Sequence, residues 1–241
     1  MTTFVLVHGA CHDGSAWDDV VVQLQSRGHT AYAPTVAGHG KGSRKDVTHA
    51  ESTQSVLDYI IERELVDIVL VGHSYGGTII AKLAEQVPDR VRHLVFCAGM
   101  VLRDGETMLE VFPPEQQDAL RGLAAASSDN SVTLPFEVWR DTYINDATPE
   151  LAEQSYAKLS SEPFAPLLRP LEFKTFFSLG VPTSYVIGRD DRVMPPGEWA
   201  WHPRMSRRLG PDCRIAEIPG SHELMFSAPE RLATAIVDSS A

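Results

Sequence analysis

The pentapeptide Gly72-His73-Ser74-Tyr75-Gly76 constrains this chain more than any other feature. It follows directly on the apolar run Ile68-Val69-Leu70-Val71 and precedes a stretch with apolar residues at 79, 80, 83, 84 and 87. A continuous apolar run fits a strand buried on both faces of a parallel sheet, and the second spacing is one face of a helix that Pro88 stops. A serine at so sharp a strand-to-helix turn is pushed out above the sheet. The glycines on either side are required because a Cβ at 72 or 76 would collide with the neighbouring strand or helix. Ser74 is therefore a candidate nucleophile. Without that context the five letters would describe only a glycine-rich turn.

The rest of the chain repeats the strand-helix rhythm. Buried strands are predicted at 4–7, 30–33, 67–71, 91–97, 183–187 and 213–218, with helices at 17–25, 51–63, 78–87 and 198–209 and a closing helix from Pro229. Alternation at these spacings suits βαβ units, so the expected fold class is α/β, a mostly parallel sheet flanked by helices. The rhythm breaks after Arg103. Pro113-Pro114, the stretch 124–130 and the stretch 163–170 separate short helical patterns at 115–125, 136–145 and 149–160. The expectation is a core of residues 1–102 and 179–241 with an inserted, mainly helical cap at 103–178. Neither an internal repeat nor a low-complexity segment is present.

Composition removes several function classes. The 21 Lys and Arg against 32 Asp and Glu leave a net charge of −11, and so acidic a surface repels phosphate backbones and anionic headgroups. Neither nucleic acid nor a membrane is an expected partner. Cys11, Cys97 and Cys213 are odd in number and form no CxxC pair, which argues against a disulfide framework and a thiolate zinc site. The first residues carry no basic region and only a four-residue apolar run, so a cytoplasmic location is the expectation. His8 and His12 stand four apart, but an intervening glycine just after a strand does not suit a helical metal pair. The glycines at 38–42 lack the Lys-Ser/Thr ending of a phosphate loop and read as a mobile surface connection. Cys11 reads as a small packing residue rather than a reactive thiol.

A serine hydroxyl needs a base, and the base needs a carboxylate to orient it. His222, in Pro219-Gly220-Ser221-His222, follows the last predicted strand, where a loop at the carboxyl edge of the sheet reaches over Ser74. His202 is the rival, but it falls inside a helical pattern. The acid is expected after the strand at 183–187, where Asp190 and Asp191 compete.

Several segments together carry a resemblance: Phe4-Val5-Leu6-Val7-His8-Gly9-Ala10-Cys11-His12, Trp17, the elbow extended to Gly77, and Gly220-Ser221-His222. The chain resembles the methylesterase and hydroxynitrile lyase branch of the α/β-hydrolase superfamily, and the resemblance is weakest in the cap. It implies the chain order nucleophile, acid, histidine, and in the register Gly188-x-x-Asp191-x-x-x-Pro195 it favours Asp191 as the acid. It also implies that the backbone N–H groups of Ala10 and Tyr75 form an oxyanion hole.

The expected function is a serine carboxylic-ester hydrolase that works through an acyl-enzyme on a small-molecule ester, with no metal and no organic cofactor. Phe112, Trp139, Tyr156 and Phe164 from the cap, with Met225, are candidates to line an apolar substrate pocket, each also serving as ordinary core. The lyases of this branch are similar to one another in having a lysine after the histidine and a threonine in the oxyanion loop, whereas Glu223 and Gly9 occupy those positions here. Lactone or carbon–carbon bond hydrolysis uses the same triad. A haloalkane dehalogenase would carry aspartate at the elbow. A non-catalytic receptor on the same scaffold is the reading from another class, and turnover of a simple aryl ester separates it.

Overall fold

Alternate side chains along the apolar runs feed two separate cores. Val5, Val7, Ile68 and Leu70 pack into one apolar cluster, while Phe4, Leu6, Val69 and Val71 pack into another. That alternation follows from the two-residue period of a strand, and it requires a sheet covered on both faces. The computed structural model describes residues 1–241. Its strands are β1 (Thr3–Val7), β2 (Thr30–Tyr32), β3 (Ile68–His73), β4 (Val91–Cys97), β5 (Ser131–Val132), β6 (Glu162–Pro163), β7 (Thr183–Gly188) and β8 (Arg214–Ile218). Six of them form one sheet in the order β2-β1-β3-β4-β7-β8. Every pairing in it is parallel.

The helices are α1 (Asp18–Ser26), α2 (His49–Glu62), α3 (Gly76–Gln86), α4 (Pro114–Ala126), α5 (Phe136–Val138), α6 (Pro149–Tyr156), α7 (Trp201–Arg204), α8 (Leu224–Ser227) and α9 (Pro229–Ser239). α2 and α3 send Val56, Ile60, Ile79 and Leu83 into the first cluster, and α1 and α9 send Val20, Leu24, Leu232 and Ile236 into the second. α2 begins in a capping box, Thr48 with Glu51, which satisfies backbone N–H groups that a helix start leaves free.

Strand order reverses between β1 and β3, because β2 lies outside β1 and the later strands continue from β3. In an open parallel sheet the crevice above that switch is where the loops from two strand ends splay apart and a ligand fits. The loops after β1 and β3 carry Ala10 and Ser74.

Several local expectations differ from the structure. Asp67 is not in the strand: it adopts φ 53°, and β3 begins at Ile68. The helix expected at 136–145 is one turn of α-helix followed by a π-helical turn at Trp139–Tyr143, whose wider winding stacks the rings of Trp139 and Tyr143. The helix expected at 198–209 is broken at His202, which has φ −101° and ψ 133°. Pro203 follows it, and a proline drives the preceding residue out of the helical region. Between β4 and β7, where a mainly helical segment was expected, the structure also holds the antiparallel ribbon β5–β6. With two residues on each side, it is too short for periodicity to reveal.

Candidate active site

Ser74 is held by the turn from β3 into α3 in a left-handed conformation, φ 47°, which a residue with a Cβ adopts only under strain. The close packing that forces this turn is measurable. A Cβ on Gly76 would lie 2.5 Å from the Val7 carbonyl oxygen, and one on Gly72 would lie 2.6 Å from the Gly76 carbonyl oxygen. Ser74 N–H donates to Cys97 O at 3.2 Å, and Ser74 O accepts from Gly77 and Met100, so the backbone is pinned while the side chain faces a cavity.

His222 lies in the same cavity wall, 2% exposed. Its Nδ1 is 2.7 Å from Asp191 Oδ2, and Asp191 Oδ1 accepts the Val193 N–H at 2.9 Å. Burial pulls the imidazole's affinity for a proton down, but the charge and hydrogen bond of Asp191 and the charge of Glu223 outweigh it, so His222 titrates above its ordinary value. Nε2, the nitrogen that Asp191 does not use, is buried and makes no hydrogen bond. Trp201 stacks on the ring at 5.6 Å, and Tyr143 meets it edge-on at 5.7 Å.

The loop that carries His222 is fastened from two sides. Asp190 Oδ2 accepts the Gly220 N–H at 3.1 Å, and Asp146 Oδ2 accepts the Ser221 N–H at 3.1 Å. Asp190 therefore anchors the loop, while Asp191 touches the imidazole. His202, the rival base, turns to Ser206 at 2.8 Å and Glu217 at 3.8 Å and is absent from the cavity wall.

After β1, His8 shapes the loop that includes Ala10. Its Nε2 accepts the Val36 N–H at 3.0 Å, which leaves Nδ1–H to donate to Gly9 O at 2.9 Å. Burial lowers its pKa well below the ordinary value, as this neutral tautomer requires. Cys11 N–H donates to Glu162 Oε2 at 2.8 Å, whereas the amides of Ala10 and Tyr75 donate no hydrogen bond within the protein. Those two unengaged amides belong to the loops after β1 and β3, and Ala10 and Tyr75 both line the cavity.

The cavity is narrow, about 50 Å³, and its wall is mostly apolar. Of the pocket residues expected from the sequence, Phe112 and Trp139 line it. Tyr156, Phe164 and Met225 do not. Tyr156 packs on Phe136 and donates its hydroxyl to Leu134 O at 2.7 Å. Phe164 is buried in the first apolar cluster, and Met225 in the second, where α8 turns it away from the cavity. Other lining residues have no sequence signal that singles them out, among them Met100, Met108, Leu120, Tyr143 and Leu167.

Five further buried groups lie in the wall: Cys11, His12, His73, Glu162 and Glu223. His12 Nε2 lies 3.3 Å from Glu223 Oε2, so this histidine faces a carboxylate rather than a metal shared with His8. Burial opposes the charges of both, but their mutual attraction prevails. His12 titrates above its ordinary value, and His12 and His73 hold Glu223 down at about 2. Donor atoms of His73, His222 and Glu223 lie within 4.8 Å of one another, a spacing a metal could use, although His222 Nδ1 is already engaged by Asp191. His39 Nε2 lies 2.9 Å from Glu162, and Gly40 N–H donates to Ser160. The glycine-rich stretch 38–42 is thus tied to the β5–β6 region and is not the free surface connection expected. Cys11 belongs to the wall, and burial raises its thiol pKa well above normal, which leaves it a protonated packing group.

The sequence matches the family described as the alpha/beta hydrolase family over residues 4–235. It is 32% identical to a pyrethroid hydrolase of Sphingobium wenxiniae over 99% of this chain and 87% of that protein. It is 37% identical to a carbendazim hydrolyzing esterase of a Nocardioides species, over 56% of this chain and 59% of the other. Among solved structures, it is similar to an extracellular alpha/beta-hydrolase from a Paenibacillus species, described as sharing structural and functional homology with tobacco salicylic acid binding protein 2. That likeness has a TM-score of 0.96 at 38% identity and covers 99% of both chains. A six-stranded parallel sheet, a strained serine at the turn after its third strand and a match along nearly the whole sequence lead to one conclusion: the chain belongs to the alpha/beta hydrolase family.

Proposed function

We propose that this protein is a serine carboxylic-ester hydrolase in which Ser74 is the nucleophile, His222 the general base and Asp191 the group that orients it. One observation carries the reading: Ser74 shares a cavity wall with an imidazole whose Nδ1 is 2.7 Å from a buried carboxylate. With Nδ1–H donated to Asp191, Nε2 is left with its lone pair and takes the serine proton as the hydroxyl attacks an ester carbonyl. Nε2 and the Ser74 hydroxyl are not hydrogen-bonded at rest, and such contacts commonly tighten only when substrate binds. The developing oxyanion is received by the free amides of Ala10 and Tyr75, His222 returns the proton to the leaving alcohol, and an acyl-enzyme forms. Water activated by the same imidazole then releases the acid. Each step uses side chains and backbone amides of this chain alone.

The segment 103–178 acts as a cap in this reading, because it supplies Phe112, Trp139, Tyr143 and Glu162 to the cavity wall. The apolar lining suits a small ester with a hydrocarbon or aryl part, in keeping with the names of the pyrethroid hydrolase and the carbendazim esterase. A lyase reading is disfavoured by charge and space. Glu223 places a carboxylate beside His222, and a Cβ on Gly9 would lie 2.5 Å from His73 Nδ1, which leaves no room for a threonine there. Hydrolysis of short aryl and methyl esters tests the proposal. Turnover that survives in Ser74→Ala refutes the nucleophile, and cyanide release from mandelonitrile without ester cleavage refutes the reaction.

A further inference from the structure

The proposed mechanism leaves two buried carboxylates of the cavity wall unused, Glu162 and Glu223. Glu162 is 2% exposed and borders the same cavity as Ser74. Its Oε2 accepts the Cys11 N–H at 2.8 Å and lies 2.9 Å from His39 Nε2. Its Oε1 is buried and has no partner. Lys45, which is also buried, donates to Gly38 O and Ser43 Oγ instead. The second carboxylate of the cavity, Glu223, already faces His12.

A carboxylate oxygen removed from water without a donor destabilises a protein. The two contacts on Oε2 and the pairing of Glu162 with Val132 in the β5–β6 ribbon hold the group rigid, so it cannot swing out to solvent. Cys11, whose N–H it accepts, is the neighbour of Ala10. The free oxygen is therefore set beside the oxyanion loop. Met100, Met108, Phe112, Leu120 and Leu167 of the same wall carry no donor, and the hydroxyl of Tyr75, also in the wall, makes no hydrogen bond to it.

We infer that Glu162 Oε1 is a substrate-binding acceptor, and that the ester this protein takes carries a neutral O–H or N–H donor on the part that enters the apolar cavity. The inference rests on the serine-esterase reading and names its substrate class. An ammonium group does not fit the same role, because it would leave water for apolar walls and a single oxygen. A neutral hydroxyl or amide N–H loses far less hydration and fills the missing contact. Sites built to bond a substrate's O–H reject analogues that lack it, because the site's own polar group is then left unpaired.

The test compares kcat/KM for methyl phenylacetate, its three ring-hydroxylated isomers and the matching methoxy compounds. The wild-type protein should favour at least one hydroxy isomer over both the parent and its methoxy partner by about tenfold, equivalent to one hydrogen bond of about 1.4 kcal/mol. In Glu162→Gln, the amide oxygen can still accept the Cys11 N–H while the NH₂ group replaces Oε1. The hydroxy-to-methoxy ratio should then fall about tenfold, since a donor now faces the substrate. A purely structural role would lower every ester by one common factor, and that result overturns the inference. So does a wild-type protein with no preference among the isomers. Binding of the same esters to Ser74→Ala, followed by calorimetry, reads the contact without turnover. If no ester is hydrolysed the reaction assignment fails by itself, and hydroxy isomers that bind no tighter than the parent overturn the Glu162 contact separately.

Discussion

The two aspartates after β7 offer a sharp test, because they are adjacent and differ in what they touch. Asp191 uses both oxygens as acceptors, Oδ1 for the Val193 N–H at 2.9 Å and Oδ2 opposite His222 Nδ1 at 2.7 Å. Asparagine has one oxygen. In Asp191→Asn, either the Val193 N–H loses its acceptor or the NH₂ group faces the imidazole. The second arrangement forces the ring proton onto Nε2, where it blocks acceptance of the serine proton, and in either case no carboxylate stabilises the imidazolium. Loss of the orienting carboxylate in a serine triad lowers kcat by about 10⁴-fold, or about 5.4 kcal/mol of transition-state stabilisation. Asp190→Asn is different. Asp190 is exposed and accepts one hydrogen bond, from Gly220 at 3.1 Å, which an amide oxygen can still accept. Its expected cost is at most about 1 kcal/mol, or roughly fivefold in rate. Steady-state hydrolysis of an aryl ester by both variants, with circular dichroism and thermal melts as folding controls, measures the difference. Equal losses in the two variants, or an Asp191→Asn loss below about tenfold, would falsify the assignment of Asp191 as the orienting group.

Ser74→Ala should reduce ester turnover by about 10³-fold or more with an unchanged melting profile, and serine-directed sulfonyl fluorides should label the wild-type protein at Ser74 but not the variant. His222 titrates above its ordinary value, and as the proposed general base it would act only when neutral, so kcat/KM should fall as pH drops through that raised value; a flat profile between pH 5 and 8 would point to a different base. Acid should also destabilise the fold. Burial holds His49 and His73 neutral down to about 3, so below pH 6.5 the unfolded chain binds protons that the folded chain does not. Stability should drop by about 1.4 kcal/mol per pH unit for each of them, with His8 acting in the same direction. His12 and His222, whose folded values are raised, are protonated in both states below 6.5 and add no slope there. Urea titrations at pH 6.5, 5.5 and 4.5 that give one common stability would contradict neutral burial of these histidines.

What could be read in the sequence depended on short range. The apolar runs at 4–7 and 68–71 name strands because both of their faces are buried. The Gly-x-Ser-x-Gly turn names Ser74 because the demands of a strand-to-helix corner fall on consecutive residues. His222 and the aspartate pair at 190–191 were legible because each follows a strand, and parallel strands all present their carboxyl ends to one edge. The choice of Asp191 over Asp190 came from family likeness, and the structure shows that both are engaged, one at the imidazole and one at the loop.

The cavity was decided elsewhere. Glu162 reaches Cys11 across 151 positions, and His39 reaches Glu162 across 123. No periodicity or turn rule links residues so far apart. Tyr156, Phe164 and Met225 are as apolar and as plausibly placed as Phe112 and Trp139, yet only the latter two line the cavity, because helix rotation and the path of the chain determine which face of a buried side chain meets open space. The π-helical turn that brings Trp139 and Tyr143 together forms within the segment between β4 and β7, and His12 meets Glu223 only because the folded sheet sets the loops after β1 and β8 side by side. The sequence alone therefore determined the sheet and the candidate chemistry at its edge, through local patterning of adjacent residues. Tertiary packing decided the walls of the cavity and the charges within them, because those contacts join segments that the chain keeps far apart.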